Sequence, residues 1–217
     1  MPLVAAYQKR NWFSILLPFA RKGDKVVRYI GGKSQLLSNI HSAIVNCTDA
    51  DVESITDLFS GSGVVSQFFK EQGCKVVAND LLYFPYVMAR GTVGINQPPT
   101  FCKLDVPNPI EYLNRLSIEN TPFALQNCFV YQNYSPNTDC ARMYFQNGNA
   151  IKIDIIRLQI EDWKKQGKLS DDEYYYLLAS LLAAVPYVAN ITGTFGAYLK
   201  YWDKRTYKSL TLEPYAV

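Results

Sequence analysis

A glycine turn followed by an acid is the first feature that could do chemistry. Residues 57–63 read Asp-Leu-Phe-Ser-Gly-Ser-Gly, and Asn79-Asp80 follow the turn about twenty residues later. Glycines between a strand and a helix let the backbone approach a ligand closely, and a carboxylate beyond the next strand can accept both hydroxyls of an adenosine ribose. This spacing predicts a nucleoside-cofactor site, whereas the turn alone is equally typical of any strand–helix connection.

The same turn argues against a dinucleotide cofactor. The phosphate-binding pattern GxGxxG needs a third glycine or alanine, and Ser66 stands at that position. An NAD-dependent oxidoreductase is therefore a weaker alternative. The single histidine, His41, does not support the oxidoreductase alternative, because we expect it on the surface of a helix.

A second candidate lies upstream, where Tyr29 and Ile30 precede Gly31, Gly32 and Lys33. A lysine after two glycines at the start of a helix combines backbone donors with a cation. That combination suits a carboxylate, such as the one on an amino-acid ligand. Taken alone, the segment predicts only a glycine-rich helix start. Its combination with the turn at 57–63 favours a role in ligand binding.

Together these motifs resemble those of the DNA adenine methyltransferases, which transfer a methyl group from S-adenosylmethionine to the exocyclic amine of adenine. The resemblance is to the group whose motifs run in the order cofactor, target recognition, catalysis. It implies S-adenosyl-L-methionine as the cofactor. By this resemblance the cofactor-binding residues are Tyr29, Gly31, Gly32, Lys33, Asp57, Phe59, Gly61, Gly63 and Asp80.

The resemblance continues through the second half of the chain. Segments 132–137, 142–145 and 190–200 are similar to blocks in the recognition region of one branch of these enzymes. Residues 190–208 also offer amides, aromatic faces and cations, which suit phosphate contact and base stacking, although an aromatic surface that packs on a partner protein is the alternative. The residues expected to contact double-stranded DNA are Asn190, Thr192, Thr194, Tyr198, Lys200, Lys204 and Arg205.

One motif of the family is missing from the sequence. These enzymes carry an acidic or amide residue followed by Pro-Pro and an aromatic residue. The motif is needed because adenine's conjugated amine is a poor nucleophile. The acid or amide side chain accepts hydrogens of the amine, and the aromatic ring stacks on the flipped-out base. The nearest segment, Gln97-Pro98-Pro99-Thr100, lacks the ring. We therefore expect no catalytic residue here, an inactive isolated chain, and a second polypeptide that carries the catalytic half; a catalytically inactive DNA-binding or regulatory remnant is the alternative.

The elements that must position these motifs follow from the residue pattern. Residues 54–59 favour a strand, 64–70 a helix and 75–78 a second strand, which makes a βαβ unit and an α/β fold with a parallel sheet. An upstream helix over 34–47 would present Leu36, Leu37, Ile40, Ile44 and Val45 on one face. The resemblance implies a partial Rossmann-like methyltransferase fold with a mainly helical target-recognition insertion.

The second half is predicted to be helical. Asn149 is a candidate cap of one helix that ends near Gly167, and Ser170 with Glu173 forms a capping box for the next, so we expect an antiparallel pair. The predicted domains are a basic arm over 1–28, a cofactor-binding half-domain over 29–110 and a DNA target-recognition region over 111–217.

Composition excludes several classes of protein. The 217 residues are 48% hydrophobic and 19% charged, which fits a folded globular chain, and a net charge of +3 is too small to identify a nucleic-acid binder by itself. Residues 1–28 nevertheless hold six basic side chains against one acid. The five scattered cysteines suggest neither disulfides nor a metal site, so we expect a cytoplasmic protein, and no apolar run is long enough for a membrane helix.

Overall fold

The computed structural model describes residues 3–4, 31–48 and 51–215. They fall into two compact units, of which the first reaches Pro98 and the second runs from Pro99 to Tyr215. Apart from residues 3–4, the predicted basic arm lies outside the described residues. The fold is dominated by helices and contains a small sheet with one parallel pair of strands.

The first unit is built around the predicted strand–helix–strand segment. Its elements are, in chain order, β1 (Leu3–Val4), α1 (Leu37–Asn46), β2 (Ser54–Asp57), α2 (Val64–Glu71), β3 (Lys75–Ala78) and α3 (Tyr83–Gly91). β2 and β3 run parallel, as predicted, with Ser54 opposite Lys75. β1 pairs antiparallel with β3, so the described sheet is mixed, in the order β1-β3-β2, and β2 lies at one edge.

Apolar side chains between the helices and this sheet form the core of the first unit. Its buried members are Leu37, Phe68, Phe69, Cys74, Val76, Ala78, Ala89 and Val93. Ile40 and Ile44 pack against them, as the predicted helical face requires. Leu36 and Val45 are exposed instead. Leu36 ends a 3-10 turn, Ser34–Leu36, whose tighter winding takes it out of line with the face of α1.

The second unit is mainly helical. Its α-helices are α4 (Pro109–Arg115), α5 (Phe129–Tyr134), α6 (Asn147–Lys165) and α7 (Asp171–Ala184). Near the turn between α6 and α7, Lys164 Nζ donates to Asp171 Oδ1 at 2.6 Å, and farther from it the Tyr174 hydroxyl donates to Glu161. The bonded residues are seven positions apart near the turn and thirteen apart farther from it, as in an antiparallel helix pair, which was predicted.

The predicted capping box of α7 is confirmed. The N–H of Glu173 donates to Ser170 Oγ at 3.3 Å, and the N–H of Ser170 donates to Glu173 Oε2 at 2.8 Å. These two bonds satisfy backbone donors that a helix start otherwise leaves without an intrahelical acceptor.

The predicted role of Asn149 is wrong. Helix α6 begins at Asn147, so Asn149 lies inside the first turn, where it is buried. Its Nδ2 donates to the carbonyls of Thr206 and Lys208 at 3.0 and 2.9 Å, and its Oδ1 accepts from the N–H of Leu210 at 2.9 Å. The amide therefore fastens the 206–210 segment to α6 instead of capping the helix.

Two further polar side chains of α6 hold neighbouring segments. Asp154 accepts from the N–H groups of Val130 and Tyr131 at 3.0 and 2.9 Å, at the start of α5. Burial raises the pKa of Asp154, although these hydrogen bonds act to lower it. Lys152 Nζ donates to the Asn114 carbonyl at 2.6 Å, and burial lowers its pKa.

The Asn149→Ala substitution tests the fastening of the 206–210 segment. It leaves two carbonyls and one N–H without their partner in a buried place, so we expect the free energy of unfolding to fall by about 2–4 kcal/mol in urea titrations. Asn147→Ala, at the exposed start of the same helix, is the control and should change it by less than about 0.5 kcal/mol. Equal losses in the two variants would contradict this role of Asn149.

Candidate cofactor site and nucleic-acid face

The glycine turn connects β2 to α2 through two residues in the left-handed region. Gly61 has φ +51° and Gly63 has φ +78°, and both conformations are costly for a residue with a side chain. The N–H of Gly63 donates to the Ser60 carbonyl at 2.7 Å and closes the turn, after which α2 begins at Val64. The turn glycines are thus required by the backbone conformation.

Asp80 joins this turn to the end of β3. Its Oδ2 accepts from the N–H of Gly61 at 2.9 Å, and its Oδ1 accepts from the N–H of Leu82 at 3.1 Å. Beside it, the Asn79 carbonyl accepts from the N–H of Ser60 at 2.9 Å. The structure therefore brings Gly61 and Asp80, which are far apart in sequence, into direct contact.

Asp57 has a structural contact as well. Its Oδ2 accepts from the Ser66 hydroxyl at 2.7 Å, and Ser66 is fully buried on α2. In the sequence, Ser66 stands out only as the residue at the third glycine position of the GxGxxG pattern. Its hydroxyl holds the carboxylate at the end of β2 against the first turn of the following helix.

A small cleft lies beside Asp80. It is lined by Ser60, Ala78, Asn79, Asp80, Pro85, Tyr86 and Ala89. The Ser60 hydroxyl is buried there and has no hydrogen-bond partner among the described residues. Sequence reasoning missed Ser60 and Tyr86 because their residue types are common in turns and helices. The one signal that could have identified them is their position next to Asp80.

Two apolar residues next to this cleft are unusually exposed. Phe59 is 86% exposed in the turn, and Leu81, which follows Asp80, is 95% exposed. Apolar side chains that stand in solvent beside a polar cleft are typical of a site that a ligand or another protein segment covers. Phe59 was predicted as a site residue, whereas Leu81 was not.

The upstream glycine motif is described only from Gly31 onward, so Tyr29 lies outside the described residues. Gly31 has φ +76° and, with Gly32 and Lys33, is exposed. Lys33 precedes the 3-10 turn that leads into α1, and its Nζ lies 3.4 Å from the Gly31 carbonyl. The motif is attached to the core of the first unit through Leu37, which is buried.

In the second unit, Asn190 is fully buried, which is at odds with a direct contact to DNA. Its Nδ2 donates to the carbonyls of Leu199 and Tyr201, both at 3.1 Å, and its Oδ1 accepts from the N–H of Asp203 at 3.1 Å. Its backbone N–H donates to the Tyr144 carbonyl at 2.8 Å. Asn190 therefore holds together the loop that carries Thr192, Thr194, Tyr198 and Lys200.

The remaining predicted DNA-binding residues divide by exposure. Thr192, Thr194, Lys200 and Lys204 are exposed on the loop and beyond it, and Tyr198 is half-buried. Arg205 is half-buried and donates to the Ile191 carbonyl, so its guanidinium is partly committed to the loop.

Other site types find no support in the described residues. Their His, Cys, Asp and Glu side chains form no group able to hold a metal ion. No described helix has the length and apolar character that crossing a membrane requires.

His41, expected on the surface, is half-buried with its ring centroid 5.7 Å from that of Phe68, because α1 packs on α2.

Comparison with known proteins identifies related sequences. A family model described as D12 class N6 adenine-specific DNA methyltransferase matches residues 29–216. Modification methylase StsI of Streptococcus sanguinis is 41% identical over 194 residues, which cover 88% of this chain and 29% of that protein. Type II methyltransferase M.FokI of Planomicrobium okeanokoites is 42% identical over 190 residues, 86% of this chain and 28% of that protein.

A shorter relative matches the same extent of the chain. Type II methyltransferase M.NlaIII of Neisseria lactamica is 36% identical over 190 residues, which cover 87% of this chain and 54% of that protein. The chain thus spans between about a quarter and about half of the length of these curated relatives. No solved structure shows a significant match.

The Gly63→Ala substitution tests the requirement for a left-handed residue in the turn. A Cβ at Gly63 would meet only Gln67 Nε2, at 3.6 Å, so the cost comes from the backbone conformation and should lower the free energy of unfolding by about 1–2 kcal/mol. Gly63→Asn should cost less, because asparagine tolerates this region.

Gly148→Ala in α6 is the control, where a Cβ meets nothing within 4 Å and should leave the stability unchanged or raise it by up to about 1 kcal/mol. Chemical denaturation measures all three variants. A loss for Gly148→Ala as large as that for Gly63→Ala would show that the left-handed conformation is not the cause.

Proposed function

Because the chain belongs to the D12 class of N6 adenine-specific DNA methyltransferases, we propose that it forms the part of a site-specific enzyme that binds S-adenosyl-L-methionine and recognises DNA. The enzyme would methylate the exocyclic amine of adenine in double-stranded DNA. The printed name of the StsI relative, a modification methylase, supports a role in restriction–modification. We propose a cytoplasmic location, which suits five cysteines that form no disulfide.

The contact between Gly61 and Asp80 carries the cofactor proposal. It keeps a carboxylate at the carboxyl ends of two adjacent parallel strands, which is where α/β folds bind nucleotides. Each Asp80 oxygen accepts one N–H within the protein, and a carboxylate has about four acceptor positions, so two remain for ribose hydroxyls. Phe59 and Leu81 supply exposed apolar surface for the adenine ring.

The methionine end of the cofactor would lie toward the upstream glycine motif. Gly31, Gly32 and the Lys33 cation offer an exposed backbone and a positive charge to an amino-acid carboxylate, and Tyr29 would line this side. Gly63 and Gly61 would line the middle of the cofactor, and Asp57 would act by holding the turn. The fold that corresponds to this arrangement is a partial Rossmann-like methyltransferase domain over 29–110.

The DNA would contact the second unit, where we propose a target-recognition region over 111–217. Thr192, Thr194, Tyr198, Lys200 and Lys204 would make direct contacts, because they are exposed or half-buried on one loop and its continuation. Arg205 would contribute mainly charge. Asn190 would be a positioning residue, since its amide is already bonded to the loop backbone.

The catalytic half would come from outside this sequence, on a second polypeptide. The sequence has no acidic or amide residue followed by Pro-Pro and an aromatic residue, so it lacks the groups that would accept the amine hydrogens of adenine. In the sheet of described residues β2 is an edge strand, with exposed Leu58 and Phe59 beyond its end. Among the described residues no strand pairs with this edge, and we propose that the catalytic polypeptide supplies one there.

The Asp80→Ala substitution tests the cofactor site. Loss of a charged acceptor of ribose hydroxyls should weaken S-adenosylmethionine binding by about tenfold to a hundredfold in isothermal titration calorimetry. Because Asp80 also holds Gly61, Asp80→Asn is measured in parallel, since its remaining oxygen can keep that bond.

Asp51→Ala, an exposed acid of the same unit, is the control and should bind the cofactor like the unmodified chain. Thermal unfolding of each variant separates lost binding from lost structure. Folded Asp80 variants with unchanged affinity would refute the site. DNA binding by a chain that never binds the cofactor would favour the non-enzymatic DNA-binding alternative.

A mixing experiment tests the missing catalytic half. The isolated chain should transfer no radioactive methyl group from S-adenosylmethionine to duplex DNA. It should self-associate in sedimentation runs, because no described strand covers the β2 edge of its sheet. Addition of a polypeptide that carries the Pro-Pro motif, taken from a relative, should restore transfer. Transfer by a monodisperse monomer of this chain alone would contradict the proposal.

A further inference from the structure

A row of aromatic side chains crosses one face of the second unit. We define this aromatic ribbon as Phe129, Tyr134, Tyr144, Phe195 and Tyr198. Neighbouring ring centroids are separated by 6.0 Å (Phe129–Tyr134), 5.6 Å (Tyr134–Tyr144), 6.4 Å (Tyr144–Phe195) and 5.0 Å (Tyr144–Tyr198). These separations are those of rings in direct contact, so the ribbon is continuous.

The ribbon is open to solvent at several points. Phe129 is 63% exposed, Phe195 is 46% exposed and Tyr134 is 37% exposed. Rings exposed to this degree contribute little to a core, and their clustering on one face is unlike the scattered exposed apolar residues of an ordinary surface. Among the described residues nothing covers them, which points to a function in binding.

Short contacts fix the ribbon in place. The N–H of Phe145, which is buried, donates to the Tyr134 carbonyl at 3.2 Å, and the Phe145 ring lies 6.2 Å from that of Phe195. The Tyr144 hydroxyl donates to the Phe195 carbonyl at 3.2 Å, and Asn190 donates its N–H to the Tyr144 carbonyl. A ligand therefore meets a surface that is already ordered, which reduces the entropy cost of binding.

Two cations stand beside the ribbon, one at Tyr134 and one at Tyr198. The Arg142 guanidinium lies 6.0 Å from the centre of the Tyr134 ring, and Lys200 Nζ lies 6.0 Å from the centre of the Tyr198 ring. Both residues are exposed. Aromatic faces beside exposed cations match a strand of nucleic acid, which presents bases and phosphates together, better than an apolar protein surface.

We propose that the aromatic ribbon stacks the bases of one unpaired DNA strand while Arg142 and Lys200 contact the flanking phosphates. This rests on the proposed function in that it takes DNA as the partner. An enzyme that modifies a base of a duplex must take that base out of the stack, so unpaired bases are exposed near its recognition surface. Every base has a stacking face, so this contact holds a strand without reading its sequence.

The experiment uses the full chain and two short single-stranded probes of equal length, a fluorescent oligothymidylate and an abasic analogue with the same phosphates. In anisotropy titrations the oligothymidylate should bind more tightly than the abasic strand, because only it can stack. Phe195→Leu and Tyr134→Leu should each weaken oligothymidylate binding by about tenfold and leave abasic binding unchanged.

Arg142→Gln should weaken binding of both probes and reduce the slope of log affinity against log salt by about 0.7. Tyr112→Leu is the matched control, because Tyr112 is also 37% exposed in the second unit but lies outside the ribbon, and it should keep full affinity. Thermal unfolding and S-adenosylmethionine calorimetry on each variant monitor the fold and the cofactor site separately.

Equal affinity of the two probes, or ribbon variants that bind like the unmodified chain, would overturn the stacking proposal while leaving cofactor binding and duplex recognition intact. A change in sedimentation without a change in DNA affinity would assign the ribbon to a protein partner and would also overturn it. A chain that fails to bind S-adenosylmethionine in every form would count against the proposed function instead.

Discussion

The hydrogen bond from the Gly61 N–H to the Asp80 carboxylate is the contact on which the first unit's site depends. Two parallel strands bring their carboxyl ends side by side, but they do not determine where the following loops go. The carboxylate draws the glycine turn onto the end of β3, and the left-handed conformation of Gly61 allows its N–H to point there. Loss of the carboxylate would leave the bond between the Ser60 N–H and the Asn79 carbonyl to hold the turn to the end of β3.

The parts of the fold that were predicted correctly are those that neighbours in sequence determine. The turn glycines, the capping box at Ser170 and the strand at 75–78 each follow from the conformational preferences of a few adjacent residues. The roles of Asn149, Asn190 and Ser66 were not predictable in this way. Their partners lie up to 61 residues away, so only the folded chain shows what the side chains bond to.

The second unit contains long irregular segments whose backbone groups need hydrogen-bond partners. Backbone groups without a helix or sheet partner must still be hydrogen-bonded when they are buried. Side chains from α6 and from the 190–201 loop provide those partners: the amides of Asn149 and Asn190, the Asp154 carboxylate and the Lys152 ammonium all bond to backbone atoms. Polar residues that look like surface residues in the sequence are for this reason part of the interior.

The bonds of Asn190 have an implication for how such a protein changes over time. The hydrogen bonds of its side chain go to main-chain atoms of Leu199, Tyr201 and Asp203, which other amino acids at those positions also provide, apart from proline at 203. Substitutions in the loop tip between Thr192 and Gly196 can therefore change its side chains without removing the hydrogen bonds of Asn190. The side chains that this loop presents to solvent can thus differ between related proteins while the asparagine and its hydrogen bonds stay the same.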